Sequence, residues 1–103
     1  MIPANLLDDW DYEVALRKVT HAAALGIAKG RPIDEAVFNA LGVAGFGARY
    51  AIFRAYDAQA TVHTASCLLE WVVAQVQKHP NFNHDRQQWQ EHLAALDHAK
   101  RIS

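Results

Sequence analysis

The sequence predicts an all-α protein, a compact bundle or orthogonal array of four to five helices around a long central apolar helix. Three observations carry that prediction. Apolar residues recur at steps of three and four in every long segment, and no segment sustains the period-two alternation of a half-buried strand. The stretch from Ala48 to Lys78, ARYAIFRAYDAQATVHTASCLLEWVVAQVQK, contains neither Pro nor Gly. Alanine supplies much of the apolar content, and it is the residue that costs least in a helix.

The first helix is expected within Asn5 to Lys29. Asn5, Asp8 and Asp9 are candidate caps, and Asp8, Asp9, Asp11 and Glu13 precede Arg17, Lys18 and Lys29. Acid before base complements the helix dipole. Tyr12, Leu16, Val19, Ala23 and Ile27 form a core-facing stripe, and Gly30 is a natural stop. Pro32 suits a first helical turn, with Asp34 and Glu35 beside it. Ile33, Val37 and Leu41 make the buried line of a short second helix, with Phe38 alongside and Gly42 as its end. The segment GVAGFG, Gly42 to Gly47, reads as the most flexible linker.

The stretch from Ala48 to Lys78 reads as one or two buried helices. Phe46, Tyr50, Phe53 and Tyr56 form an aromatic stripe, and a bend is expected between Asp57 and Thr61. Beyond it Val62, Ala65, Leu69, Val72 and Val76 line one face, opposite Gln59, His63, Ser66, Glu70 and Gln77. Leu68, Trp71 and Val73 widen the apolar face, as in a central or interface helix. His79-Pro80 ends it. A last helix is expected from about Asn83 to Lys100, with Trp89, Leu93, Leu96 and Ala99 inward. Its outward residues are Arg86, Gln87, Gln90, Glu91, Asp97 and Lys100.

A chain of 103 residues supports one domain, 1–103. With 51% hydrophobic and 20% charged residues it lies far from the composition of disordered chains. The formal net charge of −1 offers no general attraction for nucleic acid or acidic lipid. A single cysteine, Cys67, excludes an intrachain disulfide and fits a reducing compartment. The acidic start MIPANLLDDWDYE is unlike a signal peptide, and no apolar run nears the ~20 residues of a membrane helix. The expected location is the cytoplasm.

Two segments resemble known families. DEAVFNALGVAGFGARYAIF, from Asp34 to Phe53, resembles the helix-turn-helix of small bacterial repressors. Leu41-Gly42-Val43 stands at the turn, and Val37 and Ala48 stand at the helix contact. That resemblance implies a DNA-binding regulator using Arg49 and Arg54; Phe38, Gly45 and Gly47 depart from the pattern, and the would-be reading helix is poor in polar side chains. Arg86 and His92 have the R-x5-H spacing of the HEPN family of helical ribonucleases, though QQWQE between them lacks that family's usual polar residue.

Other chemistry finds little footing. GVAGFG lacks the strand and the Lys-Ser/Thr of a phosphate loop. His63 and Cys67, at i and i+4, make the one sensible helical ligand pair, two ligands where a metal site needs more. No metal and no cofactor is expected, and the reading leans away from an enzyme. Ten aromatic residues, three Trp, three Tyr and four Phe, are many for so small a helical protein. The expected function is a non-catalytic protein–protein interaction module, a regulator, adaptor or inhibitor that also forms a homodimer. Its expected interface is Leu68, Trp71 and Val73, with Trp71 as anchor and the strip Ala22, Gly26 and Gly30 suited to close helix approach.

Overall fold

A computed structural model describes residues 11–59 and 65–102. Five helices follow in order: α1 (Tyr12–Ala28), α2 (Ile33–Ala44), α3 (Phe46–Gln59), α4 (Ala65–Lys78) and α5 (Phe82–Ile102). No strand occurs among the described residues, so the class is all-α as the periodicity requires. No helix among them is long and apolar enough to cross a membrane. Asn5, Asp8, Asp9, Val62 and His63 lie outside the described residues, as do Ala60 and Thr61 of the expected bend, whose first residues, Asp57 to Gln59, are still helical.

Asp11 caps α1. Its carboxylate accepts a hydrogen bond from the Glu13 amide at 3.0 Å, meeting one of the donors a helix start leaves unpaired. The other end closes as a Schellman turn: the Arg31 amide donates to the Gly26 carbonyl and the Gly30 amide to that of Ile27. Helix α2 then runs through Gly42 to Ala44. The linker expected at Gly42 to Gly47 shrinks to one residue, Gly45, whose φ of 92° lies in the left-handed region. A side chain there would be strained, so Gly45 sets the reversal between α2 and α3.

Helix α1 is the organising element. It packs against every other helix, most extensively against α2 and α5, and α4 is the other helix that meets all four neighbours. The reason lies in its small residues. Ala15, Ala23, Ala24 and Gly26 are buried along it. At Gly26 an added Cβ would stand 2.9 Å from the Ala36 Cβ, so α1 and α2 touch almost backbone to backbone. Gly26 of the expected strip is therefore taken up within the chain, while Gly30 is exposed.

Two core assignments change. On α3 the buried face is Ala48, Ala51, Ile52 and Tyr56, while Phe46 and Phe53 turn outward. Alanines let α3 approach α1, whereas a phenylalanine line would hold it off. On α5 Leu96 and Ala99 are exposed because no other helix covers its second half, and Asp85 is buried instead. The expected lines hold elsewhere: Leu16, Val19 and Ala23 of α1, Val37 and Leu41 of α2, and Val72 and Val76 of α4 are all buried.

Candidate interaction surface

The outward turn of α3 creates an apolar surface beside α2. Val37 and Leu41 point α2 into the core, and Phe38, about 100° further round, is left 66% exposed. Val43 is 76% exposed, Phe46 54% and Phe53 36%. Between the two helices and α4 lies a cleft of about 280 Å³ lined by Phe38, Leu41, Gly42, Arg49, Phe53, Leu68 and Leu69. Arg49 is its one charged lining residue; the guanidinium Nη1 donates to the Gly42 carbonyl at 3.5 Å. Phe46 stacks on Tyr50 with ring centroids 6.2 Å apart, and the Arg54 guanidinium stands 5.7 Å from the Tyr50 ring centre. Cation–π contacts and stacked rings of this kind hold aromatic side chains at the surface in defined positions.

A second polar cluster joins α1 to α5. Arg17 and His21 are one turn apart on α1, and Asp85 and Trp89 one turn apart on α5, so the two pairs face each other. Arg17 donates from Nη1 to Asp85 Oδ2, and from Nη2 to Oδ1 at 3.2 Å. Asp85 has no solvent exposure. His21 Nδ1 stands 3.5 Å from Asp85 Oδ2, and Trp89 Nε1 donates to the His21 carbonyl at 3.1 Å. The rings of His21 and His92 lie 5.1 Å and 5.8 Å from that of Trp89. A cavity of about 560 Å³ opens beside them, lined by His21, Gln88, Trp89, Glu91 and His92. The bidentate pair is a clamp between helices: every oxygen of the buried carboxylate is occupied by Arg17 or faced by His21.

The residues singled out from sequence fall in different places. Leu68 lies in the α2–α3–α4 cleft. Trp71 packs within its own chain, its ring 6.1 Å from that of Tyr12 and 5.7 Å from that of the buried Tyr56. Val73 borders a separate shallow depression with Asp34, Ser66, Leu69 and Glu70. Arg49 and Arg54 are five residues apart on α3, about 140° around the helix, so one lines the cleft and the other does not. The turn expected at Leu41-Gly42-Val43 is helical, with the reversal three residues later. Arg86 lies over Phe82, 5.8 Å from its ring centre, while His92 meets Trp89; six residues on one helix set them about 120° apart. Cys67 is half-buried. Among the described residues no three His, Cys, Asp or Glu side chains gather as a metal site would require.

Sequence reading missed Phe38, Phe46 and Phe53 as surface residues and Asp85 as a buried one. The signal for α3 was present in the alternative stripe Ala48, Ala51, Ile52 and Ala55, which the larger aromatic stripe outweighed. The signal for Asp85 was an i, i+4 pair with Trp89 matching the Arg17 and His21 pair on α1. No family model, no curated protein and no solved structure matches this chain.

Proposed function

We infer that this chain is a non-catalytic protein–protein interaction module, a regulator, adaptor or inhibitor, which takes an apolar segment of another protein into the cleft between α2, α3 and α4. One observation carries this reading: Phe38 and Phe53 stand exposed at a cleft lined also by Leu41, Leu68 and Leu69. Contiguous exposed apolar surface on a small protein marks a site of association. Large aromatic side chains beside an arginine are the residues that dominate binding energy at such sites. Arg49 on the cleft wall supplies a positive charge for a carboxylate of the partner, which favours an apolar segment bearing Asp or Glu. The single cysteine fits a reducing cytoplasmic setting.

The test is affinity capture from the native host with wild type, Phe38→Asp and Phe53→Asp. Both substitutions fall on exposed positions, so circular dichroism should stay unchanged. A protein retained by wild type and lost by both variants supports the reading. Capture that is identical in all three, or no stoichiometric capture by wild type, overturns it.

A further inference from the structure

We propose that Gly42 sets the specificity of the α2–α3–α4 cleft. The side chain it lacks leaves room for one large apolar side chain of the partner segment, and Arg49 takes an Asp or Glu carboxylate next to that side chain. This rests on the interaction reading above and names the chemistry of its partner.

The starting observation is a glycine that the fold does not require. Gly42 lies within α2, where glycine is less favourable than any residue except proline. The glycines at 30 and 45 have left-handed φ, and Gly26 has Ala36 against it, so each has a structural reason. Gly42 has neither. Its φ is not positive, and a Cβ built on it meets no atom within 4 Å. An alanine would fit the helix and improve it. What a side chain would change is the cleft, which Gly42 lines. Gly42 follows Phe38 by one turn, about 40° round the helix, so a side chain there would share the face of the exposed Phe38.

The second observation is the state of Arg49. The Gly42 carbonyl lies in the last turn of α2, where carbonyls have no partner within the helix. Arg49 Nη1 donates to it at 3.5 Å. The helix dipole favours a cation at that end. One contact leaves the other N–H groups of the guanidinium unused. Among the described residues no carboxylate pairs with Arg49. The side chain is thus held at the cleft wall with most of its planar fork open, the geometry that grips a carboxylate.

Size and charge together define the occupant. The cleft of about 280 Å³ is slightly smaller than the ~300 Å³ at which pockets for drug-sized ligands begin. It has room for one large side chain and not for a whole helix. Leu41, Phe53, Leu68 and Leu69 make it apolar, and Arg49 is its one charge. A Phe, Leu or Met beside an Asp or Glu of another protein matches both.

The experiment titrates the isotope-labelled full chain with three capped dipeptides and follows its backbone amide signals by NMR. The probes are N-acetyl-Phe-Asp amide, N-acetyl-Phe-Asn amide and N-acetyl-Ala-Asp amide. Phe-Asp should shift the signals of Gly42 and Phe53. It should bind roughly threefold more tightly than Phe-Asn and roughly tenfold more tightly than Ala-Asp. In Arg49→Gln the Phe-Asp and Phe-Asn probes should bind equally. Gly42→Leu should weaken Phe-Asp binding roughly tenfold or more and Gly42→Ala less, while both variants melt no lower than wild type. The proposal is overturned if Phe-Asp leaves Gly42 and Phe53 unshifted, if wild type binds all three probes alike, or if Gly42→Leu binds as well as wild type. A Gly42→Ala chain that melts below wild type also overturns it, because the glycine would then serve the fold. The interaction reading is judged separately: a protein captured by wild type and lost by Phe38→Asp and Phe53→Asp upholds that reading even where the Phe-Asp probe fails.

Discussion

The Arg17 guanidinium grips both carboxylate oxygens of Asp85, and only one of the two residues reaches water. The Arg17 side chain is 40% exposed, while that of Asp85 is wholly enclosed. The two halves of the pair should therefore differ in what their removal costs. Arg17→Ala leaves a carboxylate buried without its main partner, which should cost about 3–5 kcal/mol. Asp85→Asn leaves an arginine that can turn to solvent and should cost about 1–2 kcal/mol. Urea denaturation of both variants checks this, and equal losses would show that the pair is not asymmetric in burial.

Gly26 is the closest approach between α1 and α2. A methyl there would meet the Ala36 Cβ at 2.9 Å and its Cα at 3.3 Å. Alanine is better than glycine in a helix by about 1 kcal/mol. Overpacking costs about 1–3 kcal/mol, so Gly26→Ala should be destabilising by up to about 2 kcal/mol on balance. Adding Ala36→Gly should recover part of the loss. Thermal denaturation of the single and double variants decides it; a stabilised single variant would mean that the helices separate freely.

Trp71 bridges α4 to Tyr12 of α1 and Tyr56 of α3. It is half-buried, so Trp71→Ala should lower stability by about 2–3 kcal/mol, less than for a fully enclosed tryptophan. The loss should appear equally in dilute and concentrated protein, because the contacts are made within one chain. Denaturation midpoints at two concentrations provide the comparison.

Tyr12 gives the molecule an alkaline limit. Burial, reinforced by the neighbouring Glu13 charge, holds its hydroxyl pKa above the ordinary 10.0. The folded chain then keeps that proton more tightly than the unfolded chain does. The stability from this difference is complete below pH 10.0 and drains away as pH rises from there through the higher folded value. Tyr12→Phe has no proton to lose. Its stability should fall less steeply than that of wild type above pH 10, measured by urea titration across that range, and parallel curves would contradict the assignment.

Much of the fold was legible in the residues themselves. Gly30 and Pro32 act locally, through a turn and a fixed backbone angle, so their roles need no knowledge of distant parts of the chain; the cap is Asp11, later than the expected Asn5, Asp8 and Asp9. The stripes on α1, α2 and α4 were legible for a related reason: when one apolar face is much larger than any rival, burial selects it. Helix α3 had two competing faces, one of phenylalanines and one of alanines. Periodicity weighs the larger side chains, yet the neighbour to be packed, α1, is itself lined with small residues and admits a close approach.

By itself the sequence determined the helical class, the helix ends at Gly30 and His79-Pro80 and the lines Leu16-Val19-Ala23, Val37-Leu41 and Val72-Val76. These follow from spacing along one chain segment. Tertiary structure alone decided which face of α3 meets water, that Asp85 is enclosed by Arg17, and that Leu96 and Ile102 stand uncovered. Each of these depends on which helix lies across from the residue, and on whether any helix lies there. That is set by how closely two backbones can approach, which the Gly26–Ala36 contact fixes for α1 and α2, and spacing along a single helix carries no such information.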